Sequence, residues 1–223
     1  LLRKLITAGT EAVNMAFLPE GRSALDVIDT AEKLIFDVAQ QGQSGKKSYA
    51  SSKDLLKLCV ERISDLYENP NQVTGIQTFY EDFDAKTAGL QKGDLVIVAG
   101  RPSMGKTTFA MNVAENVAIK GKKGVAVFSL EMPGEQLMMR MISSVGRIEA
   151  QKLRTGQLSQ QDWSGLTSAI SRLTDAPIYV DETAGLSPLE LRARARRLKR
   201  EHDIGLIVID YLQLMRGNSP NNN

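Results

Sequence analysis

Eight consecutive residues, Gly100-Arg101-Pro102-Ser103-Met104-Gly105-Lys106-Thr107, have the spacing G-x-x-x-x-G-K-[ST], the pattern of a loop that cradles phosphate groups. The residue types explain the chemistry. Backbone N–H groups of a glycine-rich turn can point inward at an anion, and the dipole of a following helix favours negative charge there. Lys106 has the reach for β- and γ-phosphates, and the Thr107 hydroxyl is a ligand for Mg²⁺. The plainer reading is a glycine turn before an ordinary helix with a surface lysine.

Such a loop needs a strand in front of it and a helix behind it. Leu95-Val96-Ile97-Val98-Ala99 is an apolar run of strand composition, and Thr107 to Lys120 reads as an amphipathic helix closed by Gly121. From Val73 onward strands and helices alternate. The further apolar runs are 125–130, 178–180 and 206–209, continuous in the way of strands buried on both faces of a parallel sheet. Helix starts lie between them: Pro133 as a first helical residue, and capping boxes at Ser159 with Asp162 and at Ser187 with Glu190. The pattern predicts an α/β domain with its ligand at the carboxyl ends of the strands.

Acids stand at those ends. Asp210 follows Leu206-Ile207-Val208-Ile209, as does the Walker B acid that holds Mg²⁺ against the phosphates. Glu131 closes the second run, where a carboxylate can deprotonate an attacking water or simply cap the helix near Pro133. Spacing leaves both readings open. Asp181 and Glu182 end the third run and read better as turn or helix caps. Residues 192–200 hold six basic residues in nine, which fits a solvated helix face better than a nucleic-acid patch. Leu191, Ala195 and Leu198 are its inward residues. Trp163, on a face with Leu166 and Ile170, is expected in the core, and Met138, Met139 and Met141 in helix packing.

The 223 residues are 42% hydrophobic with a net charge of +2, which gives ample core and no overall bias toward nucleic acid. One cysteine, Cys59, excludes an intramolecular disulfide, and one histidine, His202, excludes a Ser-His triad or a Cys/His zinc set. No apolar stretch approaches the roughly 18 residues of a membrane span. Residues 1–43 read as helical. Leu2, Leu5, Ile6, Gly9, Val13 and Phe17 share one stripe, and Ser23 with Asp26 opens a second helix with Leu25, Ile28, Leu34, Ile35 and Val38 inward. Gly42 to Ser48 has linker composition. A third helix, from about Ser52 to Glu68, carries a narrow stripe of Leu55, Cys59, Ile63 and Leu66, and Asn69-Pro70-Asn71 ends it. A lone helix needs a surface to dock on. The chain begins Leu1-Leu2 without Met and stops soon after a strand, so it reads as part of a longer protein.

Taken together, Ala99 to Thr108, Phe128-Ser-Leu-Glu-Met-Pro133, Lys152 to Gln157 and Ile209-Asp-Tyr-Leu-Gln-Leu-Met215 resemble the DnaB-type replicative helicases of bacteria. The resemblance implies a RecA-like P-loop NTPase fold with a mostly parallel sheet, preceded by a helical N-terminal segment and a linker helix. It divides the chain into 1–43 (tail of the N-terminal domain), 44–72 (linker with a docking helix) and 73–223 (a RecA-like ATPase domain, incomplete at its C-terminus). It also implies a homohexameric ring in the cytoplasm that hydrolyses ATP with Mg²⁺ between subunits while moving on single-stranded DNA. A primase and a helicase loader are the further partners. Carried onto this chain, Gly100 to Thr108 and Arg140 bind the nucleotide, Lys106 and Glu131 are catalytic, and Thr107 and Asp210 hold the metal. The family's arginine finger and most DNA-facing residues are expected after Asn223, and Arg216 to Asn223 resembles the start of a DNA-facing loop. Two alternatives remain: a strand-exchange recombinase with the same core, or, for this segment alone, a nucleotide-binding oligomerisation module without turnover.

Overall fold

The computed structural model describes residues 1–22, 24–43, 51–69 and 73–217. Ser23 of the expected capping box, residues 44–48 of the expected linker, Pro70 and Asn71, and residues 218–223 lie outside that set. The chain divides into two compact units, Leu1–Pro70 and Asn71–Asn223.

The first unit contains α1 (Leu2–Phe17), α2 (Ala24–Gln43) and α3 (Ser52–Glu68). α1 and α2 pack on one another, burying Ala8 and Val27. Their expected inward stripes are only partly covered, and Leu2, Ile6, Val13, Phe17 and Ile28 stay more than half exposed. A helix with a single neighbour can cover only part of a stripe this wide. α3 starts at Ser51, whose Oγ accepts from Asp54 N–H at 3.1 Å. None of its residues is buried, and Leu55, Ile63 and Leu66 of its stripe are exposed.

In the second unit the order is α4 (Glu81–Thr87), α5 (Lys106–Ile119), β1 (Gly124–Ser129), α6 (Gly134–Gly146), α7 (Ala150–Thr155), α8 (Gln160–Thr174), β2 (Ile178–Asp181), α9 (Pro188–His202) and β3 (Ile204–Asp210), then a 3₁₀ turn at Leu212–Leu214. The three strands form a wholly parallel sheet with β1 in the centre, Val127 opposite Val180 on one side and Val208 on the other. Alternate β1 side chains enter two cores. Val125 and Val127 pack with Met111, Ala114 and Val117 of α5 and Leu137 and Met141 of α6. Ala126 and Phe128 pack with Leu186 and with Ala195 of α9. Cover on both faces is why β1 is a continuous apolar run. Both expected capping boxes form, at Ser159 with Asp162 and Ser187 with Glu190. Pro133 stands one residue earlier than expected, as the cap of α6 rather than its first residue.

Two expectations are corrected. Leu95 to Ala99 is extended but belongs to no strand, and Leu95, Val96, Ile97 and Val98 are 77%, 53%, 67% and 44% exposed. Strand composition alone makes no ladder, and no described strand pairs with this run. Trp163 is not a core residue but 58% exposed, as is Ile170 at 49%. α8 instead meets α6 through Gly165 and Ala169: a Cβ on Gly165 would lie 2.8 Å from the Gly146 carbonyl oxygen. So close a backbone crossing selects the small-residue face and turns the tryptophan outward. The methionines divide, with Met141 fully buried, Met138 packed against the core and Met139 at 37% exposure.

Candidate functional site

The residues with chemical potential converge where α5 begins and β1 and β3 end. Gly105, with φ +84°, is the cap of α5, and Ser103 also takes a positive φ of +63°. A glycine cap has no side chain to occupy the first N–H groups of the helix, which leaves them available to an anion. Gly100, Arg101, Pro102, Ser103, Met104 and Gly105 are exposed, as is Thr108, while Lys106 and Thr107 are half-buried. Lys106 Nζ donates to the Gly100 carbonyl at 2.9 Å, so the ammonium is held at the backbone of its own loop.

Thr107 Oγ1 donates to Asp210 Oδ2 at 2.9 Å across 103 residues of sequence. Asp210 is fixed from two directions. It ends β3 opposite Ser129 of β1, and its carbonyl accepts from Leu130 N–H at 2.8 Å. It is only 7% exposed. The next residue after Leu130 is Glu131, exposed on the same carboxyl edge of the sheet. Thus Lys106, Thr107 and Asp210 are gathered, with Glu131 at the same edge. Arg140 sits exposed in the middle of α6, outside this bonded group. The oxygens of Thr107 and Asp210 are hard donors at hydrogen-bond distance from each other, the ligand chemistry that Mg²⁺ takes. Among the described residues no cluster of three or more His, Cys, Asp or Glu side chains forms a metal site.

The other strand-end acids are engaged structurally. Glu182 Oε2 accepts from Gly134 N–H at 2.5 Å and so caps α6. Asp181 accepts from Arg194 of α9 at 2.8 Å and from Thr183 N–H at 3.0 Å. Burial pushes the Asp181 carboxyl up, but the bonds from Arg194 and Thr183 outweigh it and hold the group below its usual range. On the basic helix, Arg194 is thus committed to Asp181, and Lys199 pairs with Asp203 at 2.5 Å.

One ionisable residue escaped the reading of the sequence. Glu115 of α5 is 6% exposed and accepts from Ser144 Oγ of α6 at 2.8 Å. Burial raises its pKa to about 7, although the Ser144 bond works in the other direction. The signal was present: Met111, Ala114, Glu115 and Ala118 fall at the i, i+3, i+4, i+7 positions of an inward stripe.

Known proteins share this sequence and this arrangement. Residues 75–223 match the DnaB-like helicase C terminal domain. The chain is 45% identical over 217 residues to the replicative DNA helicase DnaC of Bacillus subtilis (strain 168), covering 97% of this chain and 47% of that protein. It is 44% identical over 218 residues to the replicative DNA helicase DnaB of Geobacillus stearothermophilus, with the same coverage. The chain therefore spans about half the length of these curated relatives. Among solved structures, a helicase ATPase domain superposes with a TM-score of 0.71 at 29% identity, over 79% of this chain and 62% of that one. A DnaB-like replicative helicase, solved in a study of its interactions with primase, gives 0.69 at 26% identity over 99% and 51%. Both neighbours assign the second unit to the RecA-like helicase ATPase domains.

Proposed function

The chain belongs to the family of DnaB-like helicases, and we propose that its complete protein is a replicative helicase that couples ATP hydrolysis to movement along single-stranded DNA and to duplex unwinding. The observation that carries this reading is the 2.9 Å bond between Thr107 and Asp210. It joins the phosphate loop to the strand-end acid that a Mg²⁺-dependent nucleotide site requires.

In this reading the N–H groups of Gly100 to Thr108 cradle the phosphates of ATP. Lys106 leaves the Gly100 carbonyl for the β- and γ-phosphates, and Arg140 approaches the nucleotide from α6. Thr107 and Asp210 hold Mg²⁺, which when bound neutralises charge on the phosphate oxygens. Glu131 takes a proton from the attacking water as the bond to the leaving ADP oxygen breaks. A positioned base of this kind contributes about 10²–10⁴-fold to the rate. The proposed division is 1–43 as the tail of a helical domain, 44–72 as a linker with its docking helix and 73–223 as the motor. The assembly is a cytoplasmic homohexamer served by a primase and a loader. No described helix is long and apolar enough to cross a membrane. The relatives named above are helicases, and none of them favours a recombinase.

The test is DNA-stimulated ATP hydrolysis and unwinding of a forked duplex by the complete protein. Lys106→Ala is expected to abolish both. Glu131→Gln should keep nucleotide binding and lower turnover by about 10²-fold or more. Hydrolysis and unwinding that survive Lys106→Ala would overturn the proposal.

A further inference from the structure

We propose that Glu115 is a positioning residue: through Ser144 it latches the helix that bears Lys106 and Thr107 to the helix that follows Glu131, and this latch changes state with protonation. The inference rests on the ATPase reading above. Its geometric basis is independent of that reading. Glu115 lies eight residues beyond Thr107 on α5, about 12 Å along the axis at 1.5 Å per residue. Ser144 lies one turn beyond Arg140 on α6. The 2.8 Å bond between them is therefore a polar tie between the two helices that start at the candidate site.

The carboxylate sits among apolar neighbours, with Ala114 and Ala118 beside it fully buried. A charge in such a place is costly, and its protonation equilibrium moves toward neutrality, which puts the pKa at about 7. A cleft of about 190 Å³ between α5, α6 and α8 opens onto Glu115 and gives protons access to it. The charged groups facing that cleft are Lys120 at the end of α5, Arg147 after α6 and Arg172 of α8. The bond that lowers the Glu115 pKa comes from Ser144 rather than from any of these cations, so Ser144 is the partner that decides its bonding. Asn116, also in the cleft lining, is committed to the Thr78 carbonyl at 3.0 Å.

The Ser144 hydroxyl has one proton and two acceptors in reach, Glu115 Oε2 at 2.8 Å and Asn112 Oδ1 at 3.3 Å. An ionised Glu115 takes that proton in a charge-assisted bond, roughly twice as strong as a neutral one. A protonated Glu115 donates instead, and the hydroxyl turns to Asn112, one turn nearer the phosphate loop. The tie is thus tight above neutrality and looser below it.

The experiment is the pH profile of ATP turnover by the complete protein from pH 5.5 to 8.5 at saturating Mg-ATP, where titration of the substrate is common to every variant. Wild type should show an inflection near pH 7, with kcat at least about twofold higher on the alkaline side. Glu115→Gln should lose that inflection and stay at the acid-side rate. Ser144→Ala, which removes the bond that lowers the Glu115 pKa, should move the inflection to higher pH. The thermal midpoint distinguishes positioning from folding: Glu115→Gln should be at least as stable as wild type at pH 8, so its lower rate does not come from unfolding. An inflection that persists in Glu115→Gln, or that stays in place in Ser144→Ala, overturns the proposal. Lys106→Ala, run alongside, reports separately on the ATPase reading. If wild type binds ATP without turning it over, the affinity for a fluorescent ATP analogue must show the same inflection, and its absence there counts equally against the latch.

Discussion

Leu95-Val96-Ile97-Val98 and Val125-Ala126-Val127-Phe128 are matched in apolar character, and the phosphate loop and Glu131 follow directly behind them. Every residue of the second run is 0% exposed, and the first run ranges from 44% to 77%. β1 has a ladder on each edge and helices over each face. The first run has no ladder among the described strands. The contrast shows that apolar composition states a need for burial, worth about 1.5–3 kcal/mol for each large side chain, without saying which element will meet it.

That contrast can be broken by measurement. Phe128→Ala should destabilise the chain by about 3–5 kcal/mol in urea unfolding, because it empties a site closed on all sides. The next largest effect concerns a buried group of the opposite kind. Glu115 has a native pKa near 7 against an ordinary value of 4.5, so the native state holds the proton more tightly than the unfolded state. Stability that is present at pH 4 is then lost as the pH rises toward 7. Glu115→Gln should therefore match wild type near pH 4 and exceed it at pH 8 by on the order of 2–3 kcal/mol. A variant no more stable than wild type at pH 8 would show that the cost of the buried charge is offset elsewhere. Ser187→Ala removes the cap of α9, the helix that covers the Phe128 face, and should cost about 1 kcal/mol in the same unfolding assay. The smallest effect belongs to the exposed run. Ile97→Ala in residues 1–223 should change stability by less than about 0.5 kcal/mol. A loss comparable to that of Phe128→Ala would dissolve the comparison, and a larger loss in the complete protein than in this segment would sharpen it.

What the sequence disclosed follows the same division. The phosphate loop, the boxes at Ser159 and Ser187 and the acid at Asp210 were legible because their chemistry is set within a few residues. The α/β alternation was legible because both faces of β1 are covered. Trp163 was misread because its burial depends on α6, whose approach is governed by Gly146 and Gly165 rather than by hydrophobicity. Glu115 was passed over because a glutamate on a helix usually faces water, and only the packing of α5 against α6 reveals that this one does not. Glu131 could not be told from a helix cap by spacing. The structure sets it on the sheet edge where β3 ends in Asp210, while Glu182 performs the capping of α6.

The 103 residues between Thr107 and Asp210 also have a meaning in time. At roughly 5–20 residues per second of synthesis, Thr107 is made about 5–20 s before its partner. Over that interval a growing chain can display the phosphate loop but not the carboxylate that completes the metal site. Nucleotide bound then would lack half of its anchoring, so the motor is assembled before it can be fuelled.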